Sequence, residues 1–398
     1  MNARIVLIYA FALAAGCGGG GSNGPPPVPS RFLYASGVGG PNAQPAAIYG
    51  FAVYPGAISS IPGSATGTDF GGGPIAITRD SKLLYTTFAD TVKGSQIQAD
   101  GLLTNAASPS FQMPPGTRVT GLLAHPSADL LYASSYSTSL LPGVLTVFAI
   151  DSATGALSQT SSVTLGNQFI ENSPVITPNG RYLYQNDVYP EEGSLSPKTL
   201  QIAGFSTSTA TGALNPVPGS PLSPPVPVTP LSSITQMAID PTGKFLYASY
   251  QFIVPNVGYH GGVAAYSINA ASGELTAVPG SPFDVSGAPD SVAVDASGRF
   301  LIVSIGNGLA VLSIDPGTGA LTPVPGSPFG PGHFYGFVAA DPSEPYVYAG
   351  TVPGHPPATI LVLSIDQATG ALDPIGETAL PNDIGVQAEG VFNIALTH

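Results

Sequence analysis

The chain has 398 residues, with 50 Gly, 42 Pro, no Trp and a net charge of −13 from 23 acidic and 10 basic side chains. Lys and Arg are too few and too scattered to replace counterions along a phosphate backbone, which excludes nucleic acid as a partner. Only 8% of residues are charged, yet 43% are hydrophobic and fall in short runs along the whole chain, a pattern of many short strands and turns.

The first element is an address. Arg4 precedes an apolar run from Ile5 to Ala15, about as long as the core of a signal peptide and too short to span a bilayer. Ala14, Ala15 and Gly16 then lead to Cys17, the single cysteine. A lone cysteine makes no internal disulfide and no Cys-based zinc site. The segment resembles a bacterial lipobox, with Leu13 one place early, which implies cleavage before Cys17 and its acylation. Residues 1–16 are expected to be a lipoprotein signal peptide. Residues 17–30, CGGGGSNGPPPVPS, are expected to be a lipidated tether, flexible Gly and then stiffer polyproline. Gly18 rather than Asp follows the cysteine, so outer-membrane sorting is expected, facing periplasm or exterior. An ordinary secretory signal with an incidental cysteine is the alternative.

From Arg31 onward a degenerate repeat runs to the end of the chain. One phrase reads RFLYAS from Arg31, KLLYTT from Lys82, DLLYAS from Asp129 and RYLYQN from Arg181. It continues as KFLYAS from Lys244, RFLIVS from Arg299 and PYVYAG from Pro345. A short apolar strand ending at a turn precedes six of these, as in LLAHPSA, MAIDPTG and VAVDASG. A hairpin follows, with Gly155, Gly212, Gly273, Gly319 and Gly370 at one turn position, where positive φ carries no Cβ clash. A further phrase, VPGSP, recurs at Val217, Val278 and Val324 and suits the end of an edge strand. Each unit thus carries about four strands, the content of one propeller blade.

The ends argue for closure. RFLYAS has no strand before it, and GVFNIALTH from Gly390 has no unit after it. Pairing these two strands completes an all-β, seven-bladed β-propeller of four-stranded blades over residues 31–398, and a closed ring exposes only short edges. Six or eight blades are the competing counts, because the unit from Ile75 to Ser110 is weak.

The phrases DPTGKFLYAS, from Asp240, and SIDPGTGALTPVPGSPF, from Ser313, resemble the blade consensus of the lactonase-type seven-bladed propellers (6-phosphogluconolactonase-like). The resemblance covers Arg31 to His398. It implies the fold, and lactone hydrolysis as a candidate activity. Family enzymes often carry an Asn-Glu pair after the LYV-type strand; here that place reads Ser-Ser, Ser-Tyr or Ser-Ile. A phosphosugar lactonase also needs several cations on the phosphate. Arg31, Arg181 and Arg299 share one repeat position with Lys82 and Lys244 and read as structural surface residues. That leaves Arg79, Arg118, Lys93 and Lys198 free for a ligand.

Residues just before each inner strand form a ring at the channel mouth: Asp69, Arg118, Thr120, Glu171, Asn172, Gln236, Asp290, His333, Tyr335, Gln387 and Glu389. Glu171, Asp290 and His333 are the candidate catalytic residues. Arg118, Asn172, Tyr335 and Glu389 are the candidate ligand contacts. Glu171, Asn172, Asp290 and Glu389 together offer oxygen donors for Ca²⁺ or another divalent cation, which would polarise a lactone carbonyl. A solvated acidic mouth with no ion is the alternative. His125 stands where other units have Asp240, Asp295, Asp341 or Thr177, and reads as a turn residue. The insert from Tyr189 to Lys198 reads as a solvated loop. Three functions follow as expectations: an envelope module binding a small molecule, a glycan or a protein at the mouth; a lactone hydrolase; and a purely structural envelope protein.

Overall fold

The computed structural model describes residues 29, 31–38, 46–68, 73–88, 90–137, 141–165, 172–187, 200–226, 232–254, 256–330, 334–351, 358–381 and 390–398. These form seven antiparallel sheets and no helix. Blade 2 spans Ala76–Ile77, Leu83–Phe88, Thr91–Ile97 and Leu103–Gln112. Blade 3 spans Thr117–Ala124, Leu130–Ser137, Leu141–Ile150 and Leu157–Leu165. Blade 4 spans Val175–Ile176, Tyr182–Asp187, Gln201–Thr207 and Leu214–Pro216. Blade 5 spans Ser233–Ile239, Phe245–Val254, Gly258–Ile268 and Leu275–Ala277. Blade 6 spans Pro289–Val294, Phe300–Ile305, Gly308–Ile314 and Leu321–Pro323. Blade 7 spans Tyr335–Ala340, Tyr346–Thr351, Thr359–Ile365 and Leu372–Ala379. In each blade the strands lie side by side in chain order, innermost first.

Blade 1 holds the closure. Its inner strand is Gly390–Leu396 from the end of the chain, paired with Arg31–Val38 from Leu33↔Leu396 to Val38↔Gly390, and Ala46–Tyr54 and Ala57–Ser60 lie outside. The count is seven, with the ring fastened by its terminal strands.

The repeated phrase is the second strand of every blade. Its residues are buried on both faces because alternate side chains enter the two flanking interfaces. In blade 5, Leu246, Ala248 and Tyr250 pack with Tyr184 and Ile202 of blade 4, while Tyr247 packs with Val292, Leu301 and Val303 of blade 6. The recurring tyrosine ties four of the blades to their neighbours. Tyr34, Tyr85, Tyr184 and Tyr247 donate to the carbonyls of Gly101, Gly155, Gly273 and Gly319 in the next blade's hairpin, at 2.8, 3.0, 2.7 and 3.3 Å. The seam between blades 7 and 1 uses another device. Arg31 donates through both terminal nitrogens to the buried Asp341 carboxylate, at 2.7 and 2.8 Å, and Tyr348 adds a third bond at 3.0 Å.

The VPGSP phrase turns the chain back over the outer edge. Ser220, Ser281 and Ser327 accept the third-strand N–H of Gly204, Ala265 and Val311, each at 2.9 Å. Blade 1 contains a fourth copy, Ile61-Pro62-Gly63-Ser64, in which Gly50 N–H donates to Ser64 at 3.0 Å.

Strand alternation gives the ring two distinct ends. Turns from first to second strand and from third to outer strand share one face. Segments leading into the inner strands, and those from second to third strand, share the other, which is the mouth face. His125 lies in a first-to-second turn and is buried, as expected for a turn residue. Its Nδ1 accepts Ser127 and Ala128 N–H, both at 3.0 Å, so the proton sits on Nε2, which donates to Gly180 O of blade 4 at 3.1 Å. Burial holds the imidazole below its ordinary pKa, against the opposing bond to Gly180.

Candidate ligand site at the channel mouth

The inner strands touch in succession around the ring, and blades 3 and 4 are joined by Leu122 N–H donating to Ser173 at 3.2 Å. Five inner strands carry a β-bulge at one repeat position. The residues skipped in the strand register are Thr120, Thr235, Asp290, Gly336 and Phe392. A bulge re-aims one side chain and ends regular pairing, so this position is where a propeller of this sequence can present chemistry. Asp290 is the one carboxylate among the five.

Asp290 is open to solvent, yet it stands among crowded inner strands, and that crowding pushes its carboxyl above the usual range. Gln251, from the second strand of blade 5, opposes the shift by donating to Asp290 Oδ1 at 2.7 Å and to Pro289 O at 2.8 Å. Thr235 Oγ1 donates to the same carbonyl at 2.9 Å and lies 2.8 Å from Ser249 Oγ. Gln236 Oε1 accepts Val292 N–H at 2.8 Å, and Ser291 Oγ accepts Val338 N–H at 3.0 Å. Polar side chains therefore brace blades 5, 6 and 7 beneath Asp290.

A second network joins blades 3, 4 and 5. Asn172 donates to Ile234 O at 3.3 Å, and its own carbonyl accepts Gln185 Nε2 at 3.1 Å. Asn186 also donates to Ile234 O, at 3.1 Å, and Ser134 donates to Gln185 Oε1. Gln185 and Asn186 are fully buried. Asn172 and Asp290 thus flank Thr235 from opposite sides.

Of the sequence-derived ring, Asp69, Glu171, His333, Gln387 and Glu389 lie outside the described residues, as does the whole Tyr189–Lys198 insert. Among the described residues no three His, Cys, Asp or Glu side chains come together. The cation expectation therefore retains only Asn172 and Asp290 as described donors, and the Asn172 amide is engaged with blade 5. Arg118 is exposed at the start of the blade 3 inner strand. Tyr335, expected as a ligand contact, has its side chain in an interface between blades. It is buried among Leu309, Val311 and Val338 of blades 6 and 7, and burial raises its phenol to about 12. Two cations reserved for a ligand are engaged elsewhere: Arg79 pairs with Asp129 at 3.2 Å on the face away from the mouth, and Lys93 lies 3.7 Å over the Phe88 ring. Arg31, read as a surface residue, is largely buried in its ion pair.

Sequence reasoning missed Gln251, Gln185 and Asn186. A signal existed for the last two. RYLYQN puts amides where the other second strands have Ala, Thr or Val and then Ser, Thr or Gly.

Residues 198–334, covering blade 4 from its third strand through blade 6, match the family described as Lactonase, 7-bladed beta-propeller. The periplasmic gluconolactonase of Pseudomonas aeruginosa superposes with a TM-score of 0.63 at 16% identity, covering 92% of this chain and 99% of that one. A putative 6-phosphogluconolactonase from Bacteroides fragilis gives 0.63 at 17%, covering 92% and 98%. A protein from Lactobacillus plantarum gives 0.64 at 17%, covering 92% and 99%. The chain has the lactonase-type seven-bladed propeller fold. No curated protein sequence matches it. Within this lactonase-type propeller, the mouth is the face on which the bulged Asp290 stands.

Proposed function

We propose that this lactonase-type propeller is an exported, lipid-anchored protein that binds a neutral, hydroxyl-bearing ligand at the channel mouth around Asp290. The observation that carries the reading is the Asp290–Gln251 pair: one carboxylate and one amide, at a bulge, open to solvent and braced from below. With both Gln251 N–H groups spent on Asp290 and Pro289, the amide oxygen and the carboxylate are left as acceptors, which suits the O–H donors of hydroxyl groups. A net charge of −13 disfavours an anionic ligand. The address rests on Cys17 and its tether. The tether meets the propeller at Arg31, the start of a second strand, on the face opposite the mouth. An anchored molecule would then offer its mouth away from the membrane. Binding of neutral polyols and sugar lactones by the protein, weakened in Asp290→Asn, is the test; unchanged binding in that variant removes the reading.

A second reading, lactone hydrolysis, is favoured by the raised Asp290 carboxyl and by the gluconolactonases among the similar structures. Asp290 would take a proton from water as its oxygen bonds to the lactone carbonyl carbon. The ring C–O bond then breaks, and the proton passes to the departing alkoxide, giving a hydroxy acid. Acid release over a lactone panel, with Ca²⁺, Mg²⁺ or chelator, tests this reading. Turnover that Asp290→Asn leaves intact would refute Asp290 as the base.

A further inference from the structure

Blade 5 is taller than its neighbour. Tyr250 and Ile305 hold the same repeat position, each pairing one residue before the inner-strand bulge. Blade 6 turns at once through Gly306 and Asn307. The blade 5 strand continues through residues 251–254, a further rise of about 14 Å at roughly 3.4 Å per residue. The raised hairpin pairs Gln251↔Gly261, Phe252↔His260, Ile253↔Tyr259 and Val254↔Gly258.

Its two faces are distinct. Alternation puts Gln251, Ile253 and Tyr259 on the side of blade 6, the side on which Tyr247 packs and on which Gln251 reaches Pro289 and Asp290. Gly261 permits this close approach, because a Cβ there would lie 1.9 Å from Tyr250 O and 2.7 Å from Pro289 Cδ. Above the low blade 6 turn no strand among the described residues covers this face, and Tyr259 is 58% exposed. On the other side of blade 6, Phe334 precedes the blade 7 inner strand and is 45% exposed.

The result is a trough over blade 6. Tyr259 and Ile253 form its wall, the Asp290–Gln251 pair its floor, and Phe334 its far rim. An aromatic face beside a few fixed acceptors matches a ring with apolar C–H faces and hydroxyl-bearing edges. We infer that this trough binds an uncharged saccharide chain, with Tyr259 stacking on one sugar ring and Asp290 and Gln251 holding the hydroxyls of another. The inference deepens the reading of the Asp290 mouth and rests on it. The carboxylate disfavours an anionic chain, and an extended saccharide is long enough to reach from the floor to Tyr259.

Calorimetric titration of the full chain would use neutral hexasaccharides of β-1,4-glucose, α-1,4-glucose and β-1,4-N-acetylglucosamine, with D-glucono-1,5-lactone in parallel. At least one hexasaccharide should bind. Tyr259→Ala should weaken it about tenfold, and Tyr259→Phe should retain it, because the ring rather than the hydroxyl makes the stack. The lactone should be unaffected by either change. Wild-type hexasaccharide affinity in Tyr259→Ala overturns the trough. So does Asp290-dependent lactone binding with no hexasaccharide bound, an outcome that leaves the mouth reading intact. Binding of both probes unaltered in Asp290→Asn overturns the mouth reading and the trough with it.

Discussion

Replacing Arg31 by Met should loosen the ring where the N-terminal strand, held in blade 1 by pairing alone, meets blade 7. Asp341 is fully buried and accepts from both Arg31 nitrogens, from Tyr348, and from Ser343 and Glu344 N–H at 3.0 and 2.9 Å. Removing one partner of a buried pair costs about 3–5 kcal/mol, because the remaining charge is stranded. Here the donors of Ser343, Glu344 and Tyr348 remain and Met refills much of the apolar stem, so a loss of about 3 kcal/mol is expected. The pH dependence identifies the cause. Burial pushes the Asp341 carboxyl up, but the hydrogen bond from Arg31, the N–H of Ser343 and the charge of Arg31 outweigh it and hold it below its ordinary range. A depressed folded-state pKa contributes stability above the unfolded value, near 3.9, that is lost as pH falls through the folded value. In the variant the hydrogen bond and charge of Arg31 are gone, so this depression and the stability it contributes are smaller. The gap between wild type and variant should be widest at neutral pH and close below about pH 4. Urea unfolding at pH 7 and pH 3.5 measures both. A gap below about 1 kcal/mol at pH 7, or one of equal size at both pH values, would refute the reasoning.

Other expectations follow from the same contacts. His125 is held neutral below its ordinary value of 6.5, so stability should fall as pH drops through 6.5 toward the folded value, and this acid slope should flatten in His125→Asn; thermal melts at pH 7.5 and 5.5 read it. Gly180→Ala should cost about 2 kcal/mol, since φ there is +71° and the Cβ would meet His125 at 2.3 Å; wild-type stability would contradict the packing. Tyr184→Phe should cost about 1 kcal/mol through the lost 2.7 Å bond to Gly273, whereas Tyr266→Phe, whose buried hydroxyl has no hydrogen-bond partner among the described residues, should be neutral or stabilising in the same unfolding assay. If the protein hydrolyses lactones through Asp290, the acidic limb of its rate profile should lie above the usual carboxylate range and vanish in Asp290→Asn.

What the sequence determined on its own is the repeat and its closure. Strand periodicity is local, so the LYAS-type phrases, hairpin glycines and VPGSP turns identify themselves wherever they occur. The terminal strands, each lacking a partner within its own unit, leave one pairing that ends the ring. His125 was legible for the same reason, because a turn position repeats in every blade. The candidate site was legible only as a list. Asp290 stands out as a departure from its repeat, but its partner Gln251 comes from another blade, and a one-residue bulge sets which way each inner-strand side chain points. Tyr335 occupies a mouth position in the repeat, yet its side chain enters an interface. Arg79 is unpaired in sequence and paired with the next blade in space. The height of blade 5 over blade 6 is a difference between two hairpins, and only their packing side by side turns it into a trough. The bonds from repeated tyrosines to hairpin glycines follow the repeat, but the contacts at the mouth join residues that depart from it, so tertiary structure alone decided them.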